Sequence, residues 1–453
     1  MRVKFILPAL TEARGRSWRP VKYSLFPPLG LATLAGYLDA GDEAVIIDEH
    51  VEPLELNDAP DLVAIEAYIT SAARSYEIAD FYRKAGSYVV MGGLHVTSIP
   101  DEALLHADSV VLGPAEEAWP RFLSDFREGR ASRVYHSSER TLAGLPEIRR
   151  DLIKKRNYLV PNSIVVSRGC PYSCDFCYKD DFFRDGKSFY TYTVDQALAE
   201  IGALKGRHLF FLDDNIFGDR KFAFELFSGM RGMKRIWQGA ATVRSILDGD
   251  LLDRAVASGL RSLFIGFESL DQAGMLMHGK NHNRVEEYQK AINALHSRGV
   301  MINASFVFGL DSDTVGVFDS TVDWAVANGL ETATFHILTP YPGTGVFNRY
   351  SGEGRILHRD WDLYDTRHVV FRHASMSRET IEEGYRRAYK KFYAWKNICR
   401  SAASKDDLFD KIRHFVYTGC WKKFDPVWGL IVNMKRLNMA IPPLEHILEG
   451  KGH

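Results

Sequence analysis

The feature that most restricts the fold is an alternation of short β-rich runs with helical patterns, which occurs twice, on either side of a charged connector. In residues 1–137 the β-rich runs are 3–7, 44–47, 62–67, 88–91 and 109–112, with helical patterns at 29–38, 71–85 and 116–126. Strands separated by helical crossovers pair in parallel, because a tight turn cannot bring a chain back to a parallel neighbour. This block is expected to form an open, doubly wound α/β sheet of about five strands. Such sheets take ligands beyond the carboxyl ends of their strands, here the loops 8–28, 68–71, 92–95 and 113–116. Gly92-Gly93 after a buried run lets backbone approach a bulky ligand; a tight strand-to-helix turn would also account for it.

From residue 163 the alternation resumes with six runs, 163–166, 208–212, 239–243, 262–267, 302–308 and 332–338. Thr193 and Gln196 form an expected capping box, and Val194, Ala197, Leu198 and Ile201 make one apolar stripe behind it. Residues 138–161 read as a linker whose run Arg149-Arg-Asp-Leu-Ile-Lys-Lys-Arg156 is solvated. Beyond about 350 the pattern is helical. Ser377 can cap a helix, and the segment 385–405 carries basic residues and no acidic ones. Tyr385, Tyr389, Phe392 and Trp395 fall on one face that could lie on a membrane or an anionic substrate, but it is expected to pack on the second sheet with the charges in water.

A chain of 453 residues suggests two or three domains, here 1–137, a linker 138–161, 162–350 and a mostly helical 351–453. Net charge is −1, so no overall field advertises nucleic acid or an anionic surface, and no nucleic-acid partner is expected. The opening residues 1–7 read as a strand, and no apolar run reaches spanning length, so a cytoplasmic protein without a transmembrane segment is expected.

Three of the five cysteines, Cys170, Cys174 and Cys177, stand as C-x3-C-x2-C just past the first run of the second block. A structural zinc site wants four ligands, and neither a second cysteine pair nor a His-x3-5-His follows. A disulfide would leave one thiol over, with Cys399 and Cys420 far away. Three thiolates can hold three corners of a four-iron cubane, leaving one iron open to a small chelating molecule.

With Phe176 as the aromatic residue, the motif resembles the C-x3-C-x-aromatic-C pattern of the radical S-adenosylmethionine (SAM) superfamily. The resemblance implies that Cys170, Cys174 and Cys177 bind a [4Fe–4S] cluster whose open iron takes SAM, and that the second block is a partial (β/α)6 barrel. A Rossmann- or flavodoxin-like domain directly before this motif resembles the cobalamin-binding radical SAM enzymes. In that family the loops matching Thr70-Ser71, Gly92-Gly93 and Gly113-x-x-Glu116 cradle the cofactor's nucleotide tail and corrin. One departure stands out. Residues 7–15 hold no histidine to coordinate cobalt from below.

Strand ends of the second block carry polar groups that match SAM contacts in the superfamily. Asp213 and Asp214 suit its ammonium, Arg244 its carboxylate, and Glu268 with Ser269 its amino group or ribose hydroxyls. Tyr341, or His336, is a candidate proton donor or acceptor near the substrate, although a lone histidine in an apolar strand more often belongs to the core. Cys399 and Cys420 are too few to build an auxiliary cluster.

The chain thus resembles the class B radical SAM methylases and the related anaerobic magnesium-protoporphyrin cyclase. The resemblance implies methylation of an unactivated carbon of a small molecule, using SAM, cobalamin and an external one-electron reductant of flavodoxin or ferredoxin type. Two alternatives stay open: a radical oxidation, cyclisation or rearrangement without methyl transfer, and a redox sensor or electron carrier. Aromatic residues near Trp395, Trp421 and Trp428 hint at a flat or apolar substrate.

Overall fold

The computed structural model describes residues 1–14, 21–423, 428, 430–432 and 434–449. Gly15 and the middle of loop 8–28 therefore lie outside the described residues, as does the extreme end of the segment 351–453.

The first sheet contains β1 (Arg2–Leu7), β2 (Glu43–Asp48), β3 (Leu62–Glu66), β4 (Tyr88–Gly92), β5 (Ser109–Leu112) and β6 (Val134–His136). Its order is β2-β1-β3-β4-β5-β6, parallel throughout. Leu62, Val63, Ala64 and Ile65 of β3 are all buried, because helices cover both faces of the sheet; hence the unbroken apolar run. The sixth strand exceeds the expected five. It is a three-residue edge with Val134 exposed, too short to carry a period-two signal.

The second sheet contains β7 (Ser163–Ile164), β10 (His208–Phe211), β11 (Ile236–Ala241), β12 (Leu260–Glu268), β13 (Met301–Phe308) and β14 (Thr332–Ile337). Its order is β14-β13-β12-β11-β10-β7, again parallel. Between β7 and β10 lies a feature absent from the sequence reading, an antiparallel hairpin of β8 (Ser167–Gly169) and β9 (Phe189–Thr191). The expected strand 163–166 stops at Ile164 because the next amides, Val166 and Ser167, turn to the carboxylate of Asp213 instead of a neighbouring strand. Helix Val194–Ala203 does start at Thr193, whose hydroxyl accepts from Gln196 N, but the Gln196 amide reaches Leu142 O, so only half of the capping box forms.

Within residues 138–161 the charged run is exposed at Asp151, Lys154, Lys155 and Arg156 as expected, but the segment as a whole is anchored to the domains. Leu142, Ile153, Tyr158 and Leu159 are buried, Arg149 pairs with Asp151, Arg150 with Glu200, and Lys154 with Glu52. The C-terminal segment is likewise shared out: Trp361, Tyr364 and Val370 belong to a core of the first sheet, while Ile381, Ala388 and Phe392 belong to that of the second.

The basic stretch 385–405 is divided between two helices, Arg378–Phe392 and Trp395–Ala403, with Ala394 extended between them. The division has a use at the edge strand β14. There Tyr389 Oη accepts from Phe335 N and donates to Phe335 O, while Tyr393 Oη does the same for Ala333. Two phenols thus satisfy backbone groups that an open edge leaves unpaired. Tyr385, Tyr389 and Phe392 pack against the second sheet as expected, but Trp395 does not join them; it begins the next helix, 47% exposed.

Candidate active site

The cysteine loop leaves β8 at Gly169, whose positive φ of 75° and closeness to Ser188 O exclude a side chain. Asp175, inside the motif, pins the loop to the rest of the second domain. Its amide donates to His278 O at 3.1 Å, its carbonyl accepts from Val346 N at 3.0 Å, and its carboxylate meets His278 Nδ1 and Arg349 Nη1, each at 2.7 Å. Tyr172 lies flat on His282 with centroids 3.7 Å apart, and Phe176 packs 5.9 Å from the His278 ring. None of these partners was foreseen, because His278, His282 and Arg349 all stand more than a hundred residues downstream of the motif.

Burial pushes the Cys174 thiol up to about 11 and Cys177 up to about 12, and each also feels the charge of neighbouring cysteines. Buried thiols of this kind ionise only beside a cation. Among the described residues no three His, Cys, Asp or Glu side chains lie close enough together to share a single metal ion. Cys174 feels Cys170, and Cys177 feels both, so the three thiols of the motif lie within electrostatic reach of one another, as ligands of one shared cluster would.

Strand-end residues surround this loop unequally. Asp213 is buried, with its carboxylate committed to Val166 N, Ser167 N and the Ser167 hydroxyl; burial raises it to about 7 against those donors. Asp214 takes a hydrogen bond from Tyr178 Oη at 2.7 Å. Asn215, missed in the sequence, is buried and touches Cys170. Arg244 is exposed on the first turn after β11, within electrostatic reach of His282. Glu268 closes β12 at φ 63°, left-handed and costly for a residue with a side chain, at a register shift between Gly266 and Glu268. Its carboxylate folds back over Gly266, where a Cβ would collide with it, and pairs with the buried Lys280, another residue missed in the sequence. Ser269 is buried, its hydroxyl accepting from Asp271 N.

A cavity of about 250 Å³ opens at the carboxyl edge of the first sheet. Apolar side chains such as Leu31, Val90, Val111 and Trp119 form its walls, Gly92, Gly93, Gly113 and Glu116 its rim, and Arg168 and Phe182 reach it from the second domain. Gly93 is irreplaceable on geometry, since φ is 104° and a Cβ would sit 2.8 Å from Ala67 O. Glu116 Oε1 accepts from Arg168 Nε at 2.9 Å, while its buried Oε2 has no hydrogen-bond partner among the described residues. Thr70 and Ser71 are not among the lining residues. Thr70 O accepts from the Thr11 hydroxyl, and Ser71 Oγ bonds the backbone of Tyr68. A glycine rim, an apolar interior and an unpaired carboxylate oxygen fit a bulky, polar-edged ligand such as a corrin with its tail.

A second cavity, of about 580 Å³, lies between β14 and the C-terminal helices. Tyr385, Tyr389, Tyr393 and Trp421 wall it, and Glu12, Lys22, Asp365 and Arg367 add charge. His336 faces it, bonds Thr366 Oγ1 at 3.1 Å, and is held below its ordinary range by burial, with Glu268 pulling the other way. Tyr341 lines neither cavity; it packs at the joint with the first domain, where burial, and then Asp365 and Glu12, hold its hydroxyl well above the ordinary tyrosine range.

The sequence matches the model of the radical SAM superfamily over residues 164–325 and that of the B12 binding domain over residues 21–123. It is 30% identical over 393 residues to bacteriochlorophyllide d C-12(1)-methyltransferase of Chlorobaculum tepidum, covering 83% of this chain and 85% of that one. It is 28% identical to the C-8(2)-methyltransferase of the same organism, covering 78% and 82%. The fold is that of the cobalamin-dependent SAM radical enzyme OxsB, with a TM-score of 0.69 at 14% identity over 99% of this chain and 75% of that chain.

Proposed function

The chain belongs to the radical SAM enzymes that carry a B12-binding domain, the family of the bacteriochlorophyllide methyltransferases, and from this we propose that it methylates an unactivated carbon of a flat, largely apolar small molecule. It is a cobalamin-dependent radical SAM methyltransferase that uses a [4Fe–4S] cluster and SAM. When bound, the cluster and SAM supply the radical that removes a hydrogen atom, and cobalamin supplies the methyl group. An sp3 carbon has no lone pair to attack a sulfonium, which is why this chemistry needs both.

The chain's own residues bind, orient and exclude water. In this reading Cys170, Cys174 and Cys177 hold the cluster, and Asp175 fixes the loop that carries them. Asp214, Arg244, Glu268 and Ser269 hold SAM, with Asp213 behind them securing the strand. Gly92, Gly93, Gly113 and Glu116 seat the corrin, with Thr70 and Ser71 beside it. His336 is the proton-bearing group that faces the acceptor cavity, whereas Tyr341, which lines neither cavity, would act only from the joint with the first domain. The observation that carries the acceptor class is the aromatic cavity beside β14, walled by Tyr385, Tyr389, Tyr393 and Trp421 and faced by His336. Bacteriochlorophyllide d, named for the relatives, is a flat molecule of this kind. A flavodoxin- or ferredoxin-type protein in the cytoplasm would deliver the electrons.

The test is anaerobic incubation of reconstituted enzyme with SAM, a strong reductant, and either a chlorin carboxylic acid or a polycyclic triterpene. Expected products are 5′-deoxyadenosine, S-adenosylhomocysteine and an acceptor heavier by one methylene. Deoxyadenosine without S-adenosylhomocysteine would support a radical reaction that transfers no methyl group, and the absence of both would support an electron carrier.

A further inference from the structure

We propose that the C-terminal helices form a docking face that seats the enzyme on an anionic lipid bilayer. Helix Leu408–Lys423 turns His414 and Thr418 inward, where both are buried, and Leu408, Ile412 and Phe415 outward, 72%, 55% and 39% exposed. An apolar stripe at spacings of three and four residues ordinarily faces a core; here it faces away from one. Trp395, at the start of helix Trp395–Ala403, extends the ridge by stacking on Phe415 with centroids 5.6 Å apart. Lys423 Nζ sits 5.5 Å over the Trp395 ring.

The charges at this end of the ridge decide what covers it. Lys423 over Trp395, and Lys396 and Arg400 on the helix that Trp395 begins, are exposed, while the exposed acid Asp406 and the half-buried Asp407 and Asp410, the last paired with Arg413, stand at the other end, beside Leu408. A two-fold contact between copies centred on Trp395 would set these cations against their own images, which disfavours self-association. Anionic headgroups match them: aliphatic and phenyl side chains enter the acyl boundary, the indole rests at the interface, and the lysines reach phosphate. The placement also has a use. Trp421, six residues after Phe415 on the same helix, lines the aromatic cavity, as does Tyr393 just before helix Trp395–Ala403, so a lipid-facing helix is also a wall of the acceptor site. A flat apolar acceptor dissolves in a bilayer far better than in water, and only this last point rests on the proposed acceptor class.

The experiment is co-sedimentation of the full chain, with its cluster reconstituted, on sucrose-loaded vesicles of phosphatidylcholine alone or mixed with phosphatidylglycerol. Neither SAM nor acceptor is added, so the result is independent of whether methyl transfer occurs. Wild type is expected to pellet with the anionic vesicles, less as salt is raised. The double variant Ile412→Glu, Phe415→Glu is expected to lose more than about tenfold in partitioning. The double variant Lys396→Glu, Arg400→Glu is expected to lose the preference for anionic over neutral vesicles. The proposal is overturned if wild type stays in the supernatant, if both variants pellet like wild type, or if light scattering shows a dimer that Ile412→Glu, Phe415→Glu dissolves.

Discussion

Arg168 donates through Nε to Glu116 Oε1 at 2.9 Å, and this ion pair ties the strand that launches the cysteine loop to the loop after β5 of the other sheet. The side chains are 23% and 11% exposed, and the guanidinium is held even more firmly protonated than usual by that carboxylate, against the opposing effect of burial. The contact therefore bridges the glycine-rimmed cavity and the strand that leads into the cysteine loop. Glu116→Gln keeps the shape and removes the charge. It is expected to cost about 1–3 kcal/mol, seen as a lower unfolding midpoint, and to weaken retention of cobalamin on gel filtration. An unchanged midpoint together with full cobalamin retention would show that the pair does not hold the two sheets together.

Single substitutions of Cys170, Cys174 or Cys177 by Ala each leave two thiols, too few to keep a cubane in place. Iron content and visible absorption after anaerobic reconstitution are expected to collapse, and deoxyadenosine formation with them. Cobalamin binding is expected to persist, because the cavity of the first sheet is lined by other residues. Any of the three variants that keeps a full complement of iron would contradict the assignment of that thiol.

Tyr393 Oη both accepts from Ala333 N at 3.2 Å and donates to Ala333 O at 3.0 Å. Tyr393→Phe preserves the ring and strands both backbone groups of a buried edge, a loss of about 1–3 kcal/mol. The prediction concerns folding free energy from denaturant titration, with Tyr385→Phe as the control, since no hydrogen bond of Tyr385 to the β14 backbone is present among the described residues. Equal stability of the two variants would remove the edge-capping role.

Burial lowers His208 to about 4. Above its unfolded pKa of about 6.5 the ring is neutral in both states and contributes no slope. As pH falls from there towards 4 the unfolded chain takes up a proton that the folded chain refuses, so stability drops, by at most about 1.4 kcal/mol per pH unit for one such histidine. His282, also lowered to about 4 by burial and then by Lys280 and Arg244, adds in the same direction. Unfolding midpoints measured from pH 7 to 5.5 are expected to fall, and His208→Gln to flatten part of that fall. A slope untouched by His208→Gln would place the acid sensitivity elsewhere.

Local pattern was sufficient for much of the architecture. The period of apolar residues marked strands such as β3, β5 and β13 to within a residue or two, because strands buried on both faces must be continuously apolar. Parallel pairing followed from the crossovers, and the cysteine motif followed from spacing along a single loop. Gly92-Gly93 was legible for the same reason: a backbone that must turn at φ 104° beside Ala67 O accepts no other residue at position 93.

What the chain order by itself determined was the set of elements and the chemistry of one contiguous loop; what only the tertiary structure decided was which distant residues serve that loop. Asp213 stands at a strand end like Asp214, yet its oxygens are occupied by Val166 and Ser167, a difference set by the bend after Ile164. His278 and Arg349 clamp Asp175, Lys280 meets Glu268, and Arg168 meets Glu116, each across a separation that no local pattern records. The outward face of helix Leu408–Lys423 was equally invisible, since periodicity tells that a helix has an apolar stripe but not where the stripe points. Packing of whole elements settles such matters, because a side chain's partner depends on how sheets and helices stack and not on its neighbours in sequence.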